Sequence, residues 1–167
     1  SPFRGDKGTT WEGGMRVPTV IRWPGAPGGR VSSEIVSSLD FFPTLVAAAG
    51  EPDVVGKLAQ GADYGSTHYK VHLDGFDQTA LFTGQSDESA RNFLFYYDET
   101  VLTAIRYQQF KVSFSAKEGN RWDDPLLGYG RPLITNLLMD PFERQTGDVG
   151  RQYEEHKTWI LTPIVGI

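Results

Sequence analysis

Cysteine is absent from this chain of 167 residues, and long apolar runs and an excess of basic charge are absent as well. The lack of cysteine excludes disulfide bonds, thiolate metal sites and a cysteine nucleophile. No apolar run approaches the roughly 20 residues that a membrane-spanning helix needs, and no signal-peptide or lipidation pattern is found. The 16 Lys and Arg residues are scattered and are outnumbered by 21 Asp and Glu residues. We therefore expect neither a membrane partner nor a nucleic-acid partner.

The first part of the chain contains signals for one strand, one helix and a long loop. Residues 16–23, RVPTVIRW, are rich in β-branched residues and predict a buried strand. The run DFFPTLVAAAG, residues 40–50, predicts a helix that Asp40 caps and Gly50 ends. The residues of this helix expected to face a core are Leu45, Val46 and Ala49. Residues 51–75 lack periodicity and predict a connecting loop with one short helical turn at VVGKLA.

The second part of the chain has the pattern of an antiparallel sheet. Four aromatic and β-branched runs predict its strands: NFLFYY, VLTAIRY, FKVSFS and PLITNLLM. The stretch AKEGNRWDDPLLGYGRP, residues 116–132, is rich in Gly, Pro and Asp and predicts a long loop before the last of them. A final helix is predicted from about Arg151 to Leu161, because Tyr153, His156, Lys157 and Ile160 recur at helical spacing.

Lys7 is the candidate functional residue of the stretch GDKGTTWEGGMRVP, residues 5–18. Glycines let a ligand approach the backbone, and an ammonium supplies a point charge, so the composition suits an anion site. A charge pair at 4 Å is worth about 1 kcal/mol in water and about 4 kcal/mol at an effective dielectric constant near 20, so such a site matters only if it is partly desolvated. A solvated loop lysine is the alternative. The phosphate-binding P-loop pattern is not met.

The stretch GDKGTTWEGGMRVPTVIRWPG resembles the sulfatase signature G-x-K-x-x-x-x-E-G-G-x-R-x-P, and the blocks DFFPTLVAAAG, YKVHLDGFDQTALFTGQ, FLFYYDE, LTAIRYQQFKVSF and NLLMDPFER resemble bacterial arylsulfatases in the same order. The resemblance implies that Lys7 contacts a sulfate oxygen and stabilises charge as the sulfuryl group transfers. Glu12 and Arg16 belong to the same signature, and we favour a structural role for both over substrate contact. At Asp6, where many relatives have glycine, the carboxylate either points to solvent or weakens the anion site.

The resemblance also implies cofactors that this chain does not supply. Sulfatases use a formylglycine made from a [CS]-x-P-x-R motif together with calcium or another divalent metal. The chain contains neither cysteine nor a Ser-x-Pro-x-Arg sequence, and the metal ligands of the family would precede Ser1. We therefore assign no metal and no cofactor to this chain. His68 and His72 suit either a two-histidine metal pair on a helix or a place at the substrate entrance, and the nearby glycines favour the latter.

The fold class that the resemblance implies is α+β, in two parts. Residues 1–75 would form the last strand and helix of a sulfatase α/β domain with a connecting loop. Residues 76–167 would form a small domain, a four-stranded antiparallel sheet packed with a C-terminal helix. Without the missing N-terminal part of the same protein, the strand and helix of the first domain lack a neighbour, so we expect self-association or poor solubility of the isolated chain.

The function implied is that of a C-terminal part of an arylsulfatase-like sulfuric ester hydrolase. This part would supply Lys7 and one wall of the substrate cleft for a sulfate ester, and we expect it to be inactive alone. Two alternatives remain: a glycan-binding or interaction module built on its tryptophans, and a fragment of a related phosphatase or phosphonate hydrolase. The resemblance implies a periplasmic or secreted location, whereas the residues themselves leave the compartment open.

Overall fold

The computed structural model describes residues 2–119, 121–145 and 156–166. The helices are α1 (Glu12–Met15), α2 (Phe41–Ala48), α3 (Val54–Gln60), α4 (Thr79–Thr83) and α5 (Leu161–Val165). The strands are β1 (Ala62–Tyr64), β2 (Thr67–Tyr69), β3 (Phe93–Asp98), β4 (Val101–Tyr107), β5 (Phe110–Lys117) and β6 (Leu126–Asn136). None of the helices in the described part of the chain has the length and apolar character needed to cross a bilayer.

The chain divides into two compact units. One comprises the described residues of Ser1–Thr19 and Phe93–Ile167, and the other comprises Val20–Asn92. The first unit is discontinuous because the segment before residue 20 packs with the sheet that follows residue 92. The expected division into a part of the α/β domain, residues 1–75, and a small C-terminal domain, residues 76–167, stays a prediction.

The predicted four-stranded antiparallel sheet is confirmed, with the strand order β3-β4-β5-β6. Its last strand begins at Leu126, inside the stretch predicted to be a loop. The pairing of β5 with β6 shifts register between Ser113 and Ser115 and then continues to Lys117 opposite Leu126. Between these two pairs β6 has four residues, 129–132, opposite the single residue Phe114 of β5, so the irregularity absorbs three extra residues before pairing resumes. The first part of β6 was therefore predicted as a loop because it is rich in glycine.

The sheet unit has an apolar cluster on each face of the sheet, and two consecutive residues of β6 belong to different clusters. Ile134 belongs to a cluster that includes Val112, Ile160 and Ile164. Leu133 packs instead with Trp11 and Ala116. Since neighbouring side chains of a strand point to opposite faces, the terminal segment covers one face and the segment around Trp11 covers the other. The sheet thus fixes the position of the stretch that carries Lys7.

The strand predicted over residues 16–23 is wrong for this chain. These residues have no strand assignment, and Val17 and Val20 are 75% and 97% exposed. A strand needs a hydrogen-bonded neighbour, and among the described residues no strand pairs with this segment. The apolar composition alone therefore does not create a strand here.

Helix α2 forms where predicted but buries a different face. A 3-10 turn at Ser38–Asp40 precedes it, and the Asp40 side chain does not cap α2. Leu45 is 58% exposed, whereas Pro43 and Thr44 are buried. The expectation that Leu45, Val46 and Ala49 face a core is wrong in the described structure, because a polar network around Asp40 holds the helix instead.

This polar network centres on a buried ion pair between Asp40 and Arg91. The Arg91 guanidinium donates from Nε and Nη2 to the two Asp40 oxygens over 2.6 to 3.1 Å. The backbone N–H of Phe76 donates to Asp40 Oδ1 at 2.9 Å. Burial by itself would raise the pKa of the Asp40 carboxyl. The hydrogen bonds from Arg91 and from the backbone N–H groups of Ser37 and Phe76 together outweigh that effect, so the pKa is lowered.

The stretch predicted as a connecting loop, residues 51–75, contains α3 at the predicted helical turn and also a two-stranded hairpin. Strands β1 and β2 pair antiparallel, with Ala62 opposite Tyr69 and Tyr64 opposite Thr67. Gly65 takes a φ of +63° in the connecting turn. Strands of three residues are too short to show a readable alternation, which explains why the sequence did not indicate them.

The predicted final helix, from about Arg151 to Leu161, lies only partly within the described residues. Residues 151–155 of the predicted helix, Tyr153 among them, fall outside the described residues. In the described part a 3-10 turn at Thr158–Ile160 leads into α5, which begins at Leu161. Ile160 of the predicted inner face is 1% exposed, whereas His156 is exposed.

Candidate functional site around Lys7

Lys7 lies in a tight turn that local hydrogen bonds define. The backbone N–H of Thr9 and its hydroxyl both donate to the Asp6 carbonyl, at 3.1 and 2.8 Å. Gly5 and Gly8 on either side take φ angles of +81° and +83°, which other residues reach only with strain. Lys7 and Asp6 are both exposed. The described residues of this chain therefore present Lys7 without enclosing it.

The glycines that follow the turn serve close packing of the backbone. Helix α1 starts at Glu12, and a Cβ atom added to Gly13 would lie against the carbonyl oxygens of Phe3, Arg4 and Gly5. The Gly13 N–H donates to the Arg4 carbonyl at 2.7 Å. The glycines were predicted to let a ligand approach the backbone. Gly13, which follows the turn, instead lets another segment of the chain's own backbone approach.

Lys117 ties the Lys7 turn to the sheet. Its ammonium at the end of β5 donates to the Gly8 carbonyl at 2.9 Å, to Asp98 Oδ1 at 3.1 Å and to the Trp122 carbonyl at 2.8 Å. The Trp11 indole N–H donates to the Lys117 carbonyl at 2.7 Å. These contacts hold the part of the chain that follows Lys7, so the position of the turn relative to the sheet is set.

Glu12 of the signature belongs to a buried cluster of charged groups. Its Oε1 accepts a hydrogen bond from the Tyr96 hydroxyl at 2.8 Å and lies 3.5 Å from Lys111 Nζ. Its Oε2 lies 3.7 Å from Arg106 Nη1. Glu12 is 1% exposed, and every contact named here is internal to the protein.

Lys111 and Glu143 complete this cluster. Lys111 Nζ donates to Glu143 Oε1 at 2.7 Å and to the Thr10 carbonyl at 2.6 Å. The Glu12 backbone N–H donates to Glu143 Oε2 at 2.7 Å. Burial raises the pKa of the Glu143 carboxyl even though Lys111 opposes that shift, and burial also raises the pKa of the Tyr96 hydroxyl well above its usual range. The cluster anchors the signature stretch to β3 and β5.

Arg16, the other structural candidate of the signature, is exposed. Its guanidinium carbon lies 4.7 Å from the centre of the Phe3 ring, within range of a cation–π contact. Its role as a structural residue stays a prediction.

His68 and His72 lie outside any helix. His68 is in β2, where its Nδ1 lies 2.8 Å from Asp63 Oδ1. His72 Nε2 lies 3.3 Å from Asp74 Oδ1. Both imidazoles are exposed and each faces its own carboxylate, so their place at a substrate entrance stays a prediction.

The described residues contain no group of three or more His, Asp or Glu side chains that could hold a metal ion. Asp98, which is near the Lys7 turn, is engaged with Lys117 at 3.1 Å, and Asp6 of the turn itself is exposed. The divalent metal that the resemblance implies for the full-length protein therefore does not fit the described residues of this chain.

Sequence reasoning missed Lys111, Lys117, Tyr96 and Glu143, the residues that hold the signature stretch. Lys111 and Lys117 lie about a hundred positions along the chain from their partners in the turn, with separations of 101 and 109 residues. One signal was available, because strand β5 carries lysines in an otherwise apolar and small-residue run. A lysine within a buried strand indicates a buried partner.

Comparisons with known proteins agree with the resemblance. A model of the sulfatase family matches residues 1–51. The chain is 38% identical over 164 residues to steryl-sulfatase of Mus musculus, an alignment that covers 86% of this chain and 24% of that protein. It is 37% identical over 158 residues to arylsulfatase A of Homo sapiens, which covers 84% of this chain and 28% of that protein.

A solved structure extends the likeness to the whole fold. The crystal structure of the PsFucS1 sulfatase from Pseudoalteromonas sp. matches with a TM-score of 0.77 and 29% identity, over 99% of this chain and 32% of that one. The chain thus spans about a quarter to a third of the length of these three proteins.

Proposed function

Because the chain belongs to the sulfatase family, we propose that it is the C-terminal part of an arylsulfatase-like sulfuric ester hydrolase. Its share of the reaction is electrostatic. The Lys7 ammonium contacts a sulfate oxygen of the ester and stabilises the charge that develops as water replaces the alcohol and gives the free alcohol and hydrogen sulfate.

One observation carries this proposal: the only lysine of the signature is held in a fixed turn. Thr9 and Asp6 close the turn, and Lys117 binds its Gly8 carbonyl. The backbone that carries this lysine is thus preorganised, which reduces the reorganisation needed for its ammonium to stabilise developing charge. Exposure of Lys7 in this chain means that the desolvation which strengthens the contact is supplied by the rest of the full-length protein.

The remaining chemistry belongs to residues outside this chain. Formylglycine would supply the nucleophile and a divalent metal would bind the sulfate in the full-length protein. The chain has no cysteine or Ser-x-Pro-x-Arg motif from which formylglycine is made, and its described residues offer no metal cluster. We therefore expect the isolated chain to be inactive, with the upstream part of the same protein as its partner.

The test is hydrolysis of p-nitrophenyl sulfate by the full-length protein that carries this chain. Lys7→Ala lowers kcat/KM by about 100-fold to 1000-fold, the cost typical of losing one oxyanion contact. Lys70→Ala is the matched control, since Lys70 is also an exposed lysine but lies outside the signature. A Lys7→Ala enzyme as active as the Lys70→Ala enzyme contradicts the proposal.

The same assay separates the alternatives. Faster hydrolysis of p-nitrophenyl phosphate than of the sulfate indicates a related phosphatase or phosphonate hydrolase. Glycan binding without ester hydrolysis, unaffected by Lys7→Ala, indicates a binding module. A periplasmic or secreted location stays a prediction, and fractionation of the cells that produce the protein tests it.

A further inference from the structure

Trp122 is an exposed tryptophan that lies against the turn carrying Lys7. Its exposure is 70%, unusual for the largest apolar side chain. A Cβ atom added to Gly8 would lie 2.7 Å from the Trp122 Cβ, so the two residues are in direct contact. Since Lys7 directly precedes Gly8, the backbone positions that carry the Lys7 and Trp122 side chains are close together.

A single ammonium fixes this juxtaposition. Lys117 Nζ binds the Gly8 carbonyl at 2.9 Å and the Trp122 carbonyl at 2.8 Å, and Asp98 Oδ1 neutralises it at 3.1 Å. The Lys117 and Asp98 side chains are only 12% and 16% exposed. An ammonium has three donors, and all three are used here. The segment with Trp122 is therefore fastened to the Lys7 turn by partly buried charge-assisted hydrogen bonds.

A sulfate ester has two ends with different chemistry. The anionic end suits an ammonium, whereas an aromatic or sugar ring at the other end suits the flat face of an indole. Trp11, also near the turn, is 1% exposed and cannot offer its face to a ligand. We propose that Trp122 binds the ring of the ester's organic group while Lys7 contacts the sulfate. This inference rests on the proposed function and adds the ring-binding residue to it.

The test compares a ligand that has a ring with one that has none, in the full-length protein. Trp122→Ala raises KM for p-nitrophenyl sulfate by roughly tenfold, the order expected for losing an aromatic stacking contact. It leaves the inhibition constant of inorganic sulfate unchanged. Trp122→Phe retains a ring and restores most of the affinity. Trp159→Ala, at a tryptophan that is 58% exposed in the terminal segment, serves as the matched control and leaves both constants unchanged.

Four results would overturn the inference. Unchanged KM in Trp122→Ala, in an enzyme that Lys7→Ala inactivates, removes Trp122 and leaves the proposed function standing. An equal rise in KM and in the sulfate inhibition constant shows that Trp122 only supports the turn. A thermal midpoint clearly lower in Trp122→Ala than in the unaltered protein shows that the rest of the protein covers Trp122. If the unaltered protein hydrolyses no sulfate ester, the proposed function fails first and the inference fails with it.

Discussion

Lys111 places a positive charge inside the sheet unit, and the groups around it explain why the signature contains Glu12. Lys111 and Glu143 are each 1% exposed, and the ammonium lies 2.7 Å from Glu143 and 3.5 Å from Glu12. Such a cluster adds little net stability over apolar packing, but removing one member leaves an uncompensated buried charge. Glu12 is thus tied to the fold by charge, and a role in contacting sulfate is not needed to account for it.

The first prediction concerns this cluster. Lys111→Met lowers the free energy of unfolding by about 3 to 5 kcal/mol, because the buried Glu143 carboxylate loses the cation at 2.7 Å and Glu12 is left with Arg106 at 3.7 Å. Chemical denaturation of the chain measures the change. Lys70→Met, at an exposed lysine, changes it by less than about 0.5 kcal/mol. Equal stabilities of the two variants would show that the cluster does not anchor the signature stretch.

The second prediction concerns acid stability and Asp40. Its pKa is lowered in the folded state from the ordinary 3.8, so its contribution is complete above that value and is lost as the pH falls through the lower folded pKa. The free energy of unfolding therefore decreases on acidification below about pH 4, and Asp40→Asn makes that decrease shallower. Denaturant titrations between neutral and acidic pH measure both slopes. Asp87→Asn, at a side chain that is 97% exposed, keeps the slope of the unaltered chain, and a slope equally unchanged in Asp40→Asn would refute the assignment.

At the scale of elements, burial on both faces of the sheet decides what is stable. The terminal segment contributes Ile160 and Ile164 to the cluster with Val112. The N-terminal segment contributes Trp11 to the cluster on the opposite face of the sheet. By contrast, residues 16–23 have no strand to pair with in the described part of the chain, and residues 16–22 stay exposed. An element therefore forms here where a neighbour supplies hydrogen bonds or apolar contact.

The third prediction tests the docking of the terminal segment. Ile160→Ala lowers the free energy of unfolding by about 2 to 5 kcal/mol, since it empties a site in a packed core. Val165→Ala in the same segment, at a residue that is 86% exposed, has little effect. The comparison of the two denaturation curves is decisive: similar midpoints would mean that the segment does not pack on the sheet as described.

At the scale of the whole molecule, the chain exposes apolar surface that a larger protein would cover. Val20, Phe42 and Leu45 are 97%, 52% and 58% exposed. The matched relatives are three to four times longer than the stretch this chain aligns with, as coverages of 24% to 32% indicate. We attribute the exposed residues to a missing neighbour, the upstream part proposed above.

The fourth prediction follows from that surface. We expect the isolated chain to self-associate. Without the upstream part of the protein, the exposed apolar side chains of one copy can be buried against those of another copy. Light scattering measures the mass, and Phe42→Ser combined with Leu45→Ser shifts the distribution toward monomer. Lys57→Ser on α3, a polar exchange at a half-exposed lysine, leaves it unchanged. A monodisperse monomer of the unaltered chain would contradict the prediction.

The sequence predicted the local features well and the long-range ones poorly. The four strands of the sheet were readable because each carries an aromatic and β-branched run, and the strands are six or more residues long. The hairpin of β1 and β2 was not, as its strands have three residues each. The turn around Lys7 was readable from its glycines, but Lys117 and Trp122 beside it were not, since nothing in the order of residues says that they meet Gly8.

The sequence by itself determined the antiparallel sheet, the turn with its lysine and the family, because each depends on residues that are neighbours in the chain. Only the tertiary structure decided what holds that turn, which side chains bury their charge with Glu12, and which face of α2 is buried. Those outcomes depend on contacts between residues about thirty to more than a hundred positions apart, such as Thr44 with Gln78 or Lys117 with Gly8. Desolvation and packing at such contacts have no signature in local composition, so folding had to bring the partners together before their roles could be assigned.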